Sequence, residues 1–321
     1  MTITLAQAKV GMPDKVDQNV IDEFRRSSLL LDMMEFDNII SPIGGSTLTY
    51  GYIKLKTPST AAIRAINSEY TAGEALREEA TTKAIIMGGS FELDRVIIDT
   101  AGVIDELAFQ LKEKVKATTN YFHYLAINGD ASDSGTSEFD GLSALLAGSS
   151  TEVTSSVDVS SAANLDSNYQ ALLDEMDGFM AKLARKPDLL IMNGQMLVKV
   201  RSAARRAGYY SRTEDAFGRP VDNYNTIPMM DAGKYFNGEA TVDVVPTTED
   251  GKSDIYAVCL GRDGFVGISV EGNKIVRTYI PDLNAPGAVK KGEVEFVAGV
   301  ALKNTLMAGK LKGVTIVASE S

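Results

Sequence analysis

The chain has 321 residues, 44% of them hydrophobic, which is enough for a substantial core and for two domains or one elaborate one. Its formal net charge of −11 argues against sequence-independent gripping of nucleic acid, where Lys and Arg must neutralise phosphates. A single cysteine, Cys259, excludes an intrachain disulfide and a thiolate zinc cluster.

Met1 to Asp14 shows neither a basic leader nor a continuous apolar segment. No stretch approaches the roughly 20 apolar residues of a membrane span. The expectation is a soluble protein made in the cytoplasm. After an irregular start, Asp17 to about Met34 reads as a helix, with Val20, Ile21, Phe24, Ser28 and Leu31 on one face. Pro42, Gly44 and Gly45 then break the chain. A lone amphipathic helix before the main fold reads as an arm whose apolar stripe needs a surface to cover.

Two strand-like runs follow, Thr47 to Leu55 and Lys83 to Leu93, flanking an acidic stretch from Pro58 to Glu79. The apolar side switches near Ile53 and Leu55, and Gly88-Gly89 interrupts the second run, so irregularities are expected at both places. An isolated two-stranded ribbon is marginal in water and needs a packing partner. For a ribbon projecting from a domain, that partner is expected to be another chain.

The strongest helix runs from about Gly102 to Ala126, with Ile104, Ala108, Leu111, Val115, Thr118, Phe122 and Leu125 in one stripe. About 25 residues at 1.5 Å each span roughly 38 Å. Too few heptads follow one another for a coiled coil. Asn128-Gly129-Asp130 supplies the terminating turn.

Residues 131 to 164 read as loops with short strands. A helix is expected over Asp166 to Arg185, ended by Pro187, then a buried strand Leu189 to Met192, then a helix from Asn193-Gly194 to about Ala207. This alternation points to a compact α/β unit. Residues 208 to 252 read mostly as loop. Strands resume at 254–260, 266–270, 274–279, 293–302 and 313–318.

Catalytic chemistry is sparse. The one histidine, His123, rules out histidine pairs for metal ligation and reads as an ordinary packing or helix-surface residue. Cys259 sits in an apolar run and reads as a buried, inert thiol. Gly44 to Thr47 and Gly261 to Gly267 lack the spacing of phosphate or dinucleotide loops and read as turns. Glu78-Glu79 and Asp105-Glu106 read as solvated charge. No catalytic, cofactor or metal site is assigned, and an enzyme is not expected.

One charge pattern stands out. Lys199, Arg201, Arg205, Arg206 and Arg212 occupy a stretch without an acidic residue, while the ribbon carries Glu69, Glu74, Glu78 and Glu79. These are either two unrelated solvated surfaces or complementary faces of neighbouring subunits, where charge fixes register.

The order of parts resembles the Hong Kong 97-type major capsid protein of tailed phages, whose shell fold is shared with encapsulins. The resembling segments are Val20 to Leu30 for the arm, and Asn128-Gly129-Asp130 with Phe139-Asp140-Gly141-Leu142 for the turn after a long spine helix. Pro187 to Asn193 resembles the strand before the next helix, and Ile255 to Val258 with Asp263 to Gly267 resembles late strands. The resemblance implies an α+β fold with an N-arm (1–45), an extended E-loop ribbon (46–90), a P-domain with the spine helix (91–135), an A-domain (136–270) and returning strands (271–321).

It further implies a protein that self-assembles into an icosahedral head shell around phage double-stranded DNA, or, alternatively, an encapsulin-like nanocompartment shell. A soluble enzyme with scattered carboxylates is the rival from another class. The implied partners are other copies of the chain in pentamers and hexamers. Candidate further partners are scaffold, portal and decoration proteins, with DNA enclosed without sequence-specific binding and no membrane. The implied location is the virion, assembled in host cytoplasm. With little sequence before the arm, a separate scaffold, or none, is expected. Interface candidates are Phe24, Leu31, Arg64, Glu69, Glu74, Glu78, Glu79, Arg201, Arg205 and Arg206. Some relatives crosslink through an E-loop lysine. Lys54, Lys56 and Lys83 lie in that region, and none matches the role.

Overall fold

A computed structural model describes residues 28–39, 47–57, 59–100, 106–132, 137–208, 210–214, 220–270, 276–282 and 286–318. The first half holds α1 (Leu29–Met33), β1 (Phe36–Asn38), β2 (Thr49–Thr57), β3 (Leu76–Lys83), β4 (Ile85–Asp94), α2 (Arg95–Thr100), α3 (Glu106–Asn128), α4 (Leu142–Leu146) and β5 (Glu152–Thr154). Then come α5 (Ala162–Met180), β6 (Leu189–Met192), α6 (Gly194–Ala207), β7 (Tyr210–Glu214), β8 (Pro220–Tyr224), β9 (Ile227–Asp231), β10 (Lys234–Phe236) and β11 (Thr241–Asp243). Last are β12 (Lys252–Val258), β13 (Phe265–Ser269), β14 (Val276–Tyr279), β15 (Val289–Leu302) and β16 (Ala308–Thr315).

Two larger sheets organise these elements. A five-stranded sheet runs β1-β13-β15-β14 with β4 also on β15, and a seven-stranded sheet runs β5-β16-β12-β6-β9-β8-β7. Around the five-stranded sheet, α3 supplies Val115, Phe122 and Leu125 to the first core, together with Leu30, Leu31 and Phe36. Phe122 meets Phe296 of β15 edge-to-face at 5.0 Å between ring centroids, the geometry that aromatic quadrupoles favour. The expected stripe therefore forms on α3 from Leu111 onward, while Ala108 is exposed and Ile104 lies outside the described residues.

The second core lies between the seven-stranded sheet and α5 and α6, through Leu172, Met176, Phe179, Met196 and Val200. Strand β6 explains why the two cores abut. Its four residues are all buried, with Leu189 and Ile191 in the first core and Leu190 and Met192 in the second. Successive strand side chains point to opposite faces, so an unbroken apolar run is what a sheet covered on both sides requires.

Local capping matches the chain's polar punctuation. Asn193 caps α6 by accepting from the Met196 N–H at 2.7 Å. Its amide also donates to the hydroxyls of Thr247 and Ser253 at 3.0 Å each, so this buried polar group is satisfied. Ser161 caps α5 by accepting from the Asn164 N–H, which starts that helix earlier than the apolar pattern indicates.

Several expectations are corrected. The second strand of the ribbon starts earlier than expected: residues 76–83 form β3, and β3 rather than the run from Lys83 to Leu93 is the ribbon partner of β2. The run from Ile85 pairs instead with β15 over ten consecutive positions. Its ladder passes Gly88-Gly89 without a register shift. Gly88 is needed because its φ is +154° and a Cβ there would sit 2.0 Å from the Val294 carbonyl oxygen. Residues 208–252 contain five strands, β7 to β11. Of the helix expected over 17–34, α1 is the part within the described residues.

Candidate assembly surface

The β2–β3 ribbon is rooted in the body and bare at its far end. At the root, Tyr52 of β2 packs with Ala84, Val266, Ile268 and Ala301 in a small third core. The Ala84 N–H donates to the Leu48 carbonyl at 2.7 Å, closing the ribbon across its base. Thr82 Oγ1 donates to the Val300 carbonyl at 3.0 Å. Tyr50 donates its hydroxyl to Asp37 Oδ2 at 2.7 Å, while Lys303 Nζ lies 3.5 Å from the same oxygen. Lys303 also sits over the Tyr50 ring at 5.3 Å. Burial raises the Asp37 carboxyl, but the Tyr50 and Asn38 hydrogen bonds and the Lys303 charge outweigh it and hold the group below its ordinary value.

Beyond this root the ribbon has little of its own chain to touch. The register of β2 on β3 shifts between Leu55 and Thr57, close to the switch seen in the sequence. Ile53, Leu55, Leu76, Ile63, Ile66 and Tyr70 are all exposed. Ile63 is 102% and Ile66 91% exposed, so both stand clear of the body. A monomer rarely presents such a run of large apolar side chains without a partner for them. Within the tip, Ser68 N–H donates to the Ala65 carbonyl, and Arg64 donates to the Ser68 carbonyl at 3.3 Å while stacking on Tyr70.

The sequence-derived candidates separate into groups. Phe24 lies outside the described residues. Leu31 is fully buried in the first core of its own chain, beside Phe36 and Phe122, so the arm's stripe at this point covers its own subunit. Arg64, Glu69, Glu74, Glu78 and Glu79 are exposed on the ribbon and its tip. Glu78 lies 3.9 Å from Lys56 across the ladder. Arg201 pairs with Asp222, which also receives Arg212, and Arg206 pairs with Asp166 at 2.7 Å. Arg205 is exposed on the same helix. The basic stretch is thus largely matched by acids of its own chain, distant in sequence and invisible to a reading along it.

Burial shifts both the lone histidine and the lone cysteine toward their neutral forms. Burial alone lowers the His123 imidazole to about 4, and its Nε2 has no hydrogen-bond partner. Burial pushes the Cys259 thiol up to about 11 against the opposing pull of Arg185. Among the described residues no group of three or more His, Cys, Asp or Glu side chains is placed to hold a metal ion. No helix of the described residues is long and apolar enough to cross a membrane. Sequence reasoning missed Asp37 and Lys303 at the ribbon root, and the signal that could have found the root was Tyr50 and Tyr52 in an otherwise exposed strand.

No family model matches the chain, and no curated protein matches its sequence. Solved structures do resemble it. The SrpI encapsulin of Synechococcus elongatus PCC 7942, in its holo complex, aligns with a TM-score of 0.62 at 13% identity, covering 91% of this chain and 89% of that one. The capsid of Myoviridae phage XM1 aligns at TM-score 0.53 and 16% identity, covering 86% of this chain and 90% of that one. A structure from Mycobacterium phage Bobi aligns at TM-score 0.55 and 14% identity over 92% of this chain and 91% of that one. At these identities the likeness is one of architecture: the chain has the α+β Hong Kong 97-type fold of phage capsids and encapsulins.

Proposed function

We propose that this chain is a structural protein that assembles with copies of itself into a closed shell. The observation that carries the reading is the ribbon: firmly rooted in the body, yet bearing fully exposed Ile63 and Ile66 at its far end. Within a fold shared with shell proteins, such a ribbon supports contact with a neighbouring subunit. Residues 1–45 are assigned as the N-arm and the region 46–90 as the E-loop, whose working part is the β2–β3 ribbon and tip. Helix α3 with the five-stranded sheet is assigned as the P-domain, and the seven-stranded sheet with α5 and α6 as most of the A-domain. The chain is assigned no enzymatic role.

The finer reading is a phage head shell enclosing double-stranded DNA, located in the virion and assembled in host cytoplasm with scaffold and portal proteins. The net charge of −11 suits a container that must not hold its DNA tightly. The second reading, an encapsulin-like compartment enclosing a protein cargo, is favoured by the alignment to the SrpI encapsulin at TM-score 0.62. Sedimentation and negative-stain microscopy of the expressed chain test the shared part. Closed particles or capsomers are expected, and a chain that stays monomeric even with its genomic neighbours co-expressed defeats both readings. Nuclease-protected DNA against a co-purifying enzyme then separates them.

A further inference from the structure

Asparagine is followed by glycine at Asn128-Gly129, Asn193-Gly194 and Asn237-Gly238, and the fold treats these pairs differently. Asn128 donates its amide to the Val244 carbonyl at 2.6 Å, and the Gly129 N–H donates to the Leu125 carbonyl at 2.9 Å. Asn193 is buried at the start of α6, its amide held by Thr247 and Ser253. Asn237 instead opens the turn between β10 and β11, where residues 237–240 are all exposed. Its Oδ1 accepts from the Glu239 N–H at 3.0 Å and from the Ala240 N–H at 2.8 Å. Among the described residues the Gly238 N–H has no acceptor.

We propose that Asn237 is a self-modification site, at which the chain's own backbone converts an amide into a carboxylate. The Gly238 nitrogen attacks Asn237 Cγ and the new N–Cγ bond closes a succinimide ring. The side-chain nitrogen leaves as ammonia, carrying the proton that Gly238 gives up. Water then adds to one of the two imide carbonyls and reopens the ring, its hydroxyl going to the carbon and its proton to the nitrogen. Opening at one carbonyl gives aspartate. Opening at the other gives isoaspartate, whose backbone runs through the former side chain. Nothing is oxidised or reduced, and water is the one co-reactant.

The geometry selects this asparagine over the other two. The two N–H donors on Oδ1 stabilise the negative charge that develops on that oxygen during attack. Gly238 has no side chain to shield its nitrogen, and its φ of +102° is one that glycine adopts readily. Exposure admits the water that relays the proton and opens the ring. The effect on the hairpin depends on the product. Aspartate keeps an oxygen where Oδ1 stood and still accepts from Glu239 and Ala240. Isoaspartate gives that carbonyl to the backbone, so the turn loses its form and the Phe236–Thr241 end of the ladder loosens. Either product adds a negative charge to a chain already at −11.

Peptide mapping of the aged full chain tests this, with a freshly purified sample digested in parallel as background. Trypsin cuts after Lys234 and Lys252 and releases a peptide in which Asn237 is the one side-chain amide. After storage of the folded chain in mildly alkaline buffer, that peptide is expected to gain the mass of an acid over an amide. It should also split into two chromatographic peaks, aspartate and isoaspartate. Because Asn128 and Asn193 react only once freed from the fold, Asn237 is expected to react more than about tenfold faster than either. In urea the three rates should converge. Asn237→Gln should abolish the change, since attack by Gly238 would have to close a larger ring. A folded chain in which Asn237 reacts no faster than Asn128 and Asn193 overturns the proposal. So does an aspartate peak without isoaspartate, which would mean direct hydrolysis without Gly238. Neither result bears on the shell reading.

Discussion

Tyr50 donates its hydroxyl to Asp37 Oδ2 at 2.7 Å, and this one bond ties the ribbon to the edge strand of the five-stranded sheet. The contact sets how firmly β2 is held where it leaves the body. Tyr50→Phe removes the donor and keeps the ring over which Lys303 sits. A partly exposed hydrogen bond to a charged group contributes about 1 kcal/mol. Amide exchange in β2 and β3 is therefore expected to speed up about fivefold at neutral pH, with α5 and α6 unchanged. The pH dependence follows from the carboxyl being held below 3.8 in the folded chain. Its stabilisation is present above the unfolded value and is lost as pH falls through the folded one. Mutant and parent should converge in acid. A difference that persists there would mean the hydroxyl acts through something other than Asp37.

His123 gives the fold a second, independent acid sensitivity. Its imidazole is buried on α3 and titrates at about 4 instead of 6.5. Above 6.5 the ring is neutral in both folded and unfolded chains and contributes no pH dependence. Below 6.5 the unfolded chain takes up a proton that the folded chain refuses, so stability falls until the folded value is reached. About 2.5 pH units at 1.36 kcal/mol each amount to roughly 3 kcal/mol. His123→Leu is expected to flatten the urea midpoint of the dispersed subunit between those two values. An unchanged slope would show that carboxylates elsewhere dominate.

The features legible in the sequence were those that burial writes as periodicity. The stripe through Val115, Phe122 and Leu125, the unbroken run Leu189 to Met192 and the apolar setting of Cys259 each reappear as buried groups. Strand β3 was missed because Leu76 to Lys83 is exposed at most positions and is held by ladder hydrogen bonds to β2. A strand with neither face well buried leaves no alternation to read. The short strands β7 to β11 escaped for a related reason, since their turn residues outweigh three to five strand residues each. The intrachain pairing of Arg201 and Arg206 was not legible because their partners, Asp222 and Asp166, are brought close only by tertiary structure.

The β8–β9 hairpin turns through Asn225 and Thr226, whose φ angles are +48° and +66°. Asn tolerates this region, but a β-branched residue there costs about 1–2 kcal/mol. Lys186 holds the turn, donating to the Asn225 carbonyl at 2.7 Å and contacting the Thr226 hydroxyl. Thr226→Gly would complete the Asn-Gly pair that two-residue hairpins favour. Losing the hydroxyl contact at this exposed site offsets part of the gain, leaving a net stabilisation of about 0.5–1 kcal/mol. Urea unfolding should show a higher midpoint at unchanged slope. A lower midpoint would mean that the Lys186 contact outweighs the backbone strain.

The ribbon tip can be removed without touching either large core. Thr57 pairs with Leu76 at the end of the ladder, so a two-residue Asn-Gly link replacing residues 58–75 closes the ribbon as a hairpin. The deletion takes away Ile63, Ile66 and Tyr70, all exposed, and leaves Tyr50 and Tyr52 at the root. Because little of the removed surface is buried within the chain, the unfolding free energy from urea titration is expected to change by less than about 0.5 kcal/mol. Assembly should be lost, since subunits would have no tip to offer a neighbour. Adding excess shortened chain to full-length chain should then act as a terminator, because a shortened subunit offers no tip to its neighbour. Light scattering during assembly would record a falling particle yield with rising dose. Particles that form normally from the shortened chain alone would show that the ribbon tip does not carry the subunit contact.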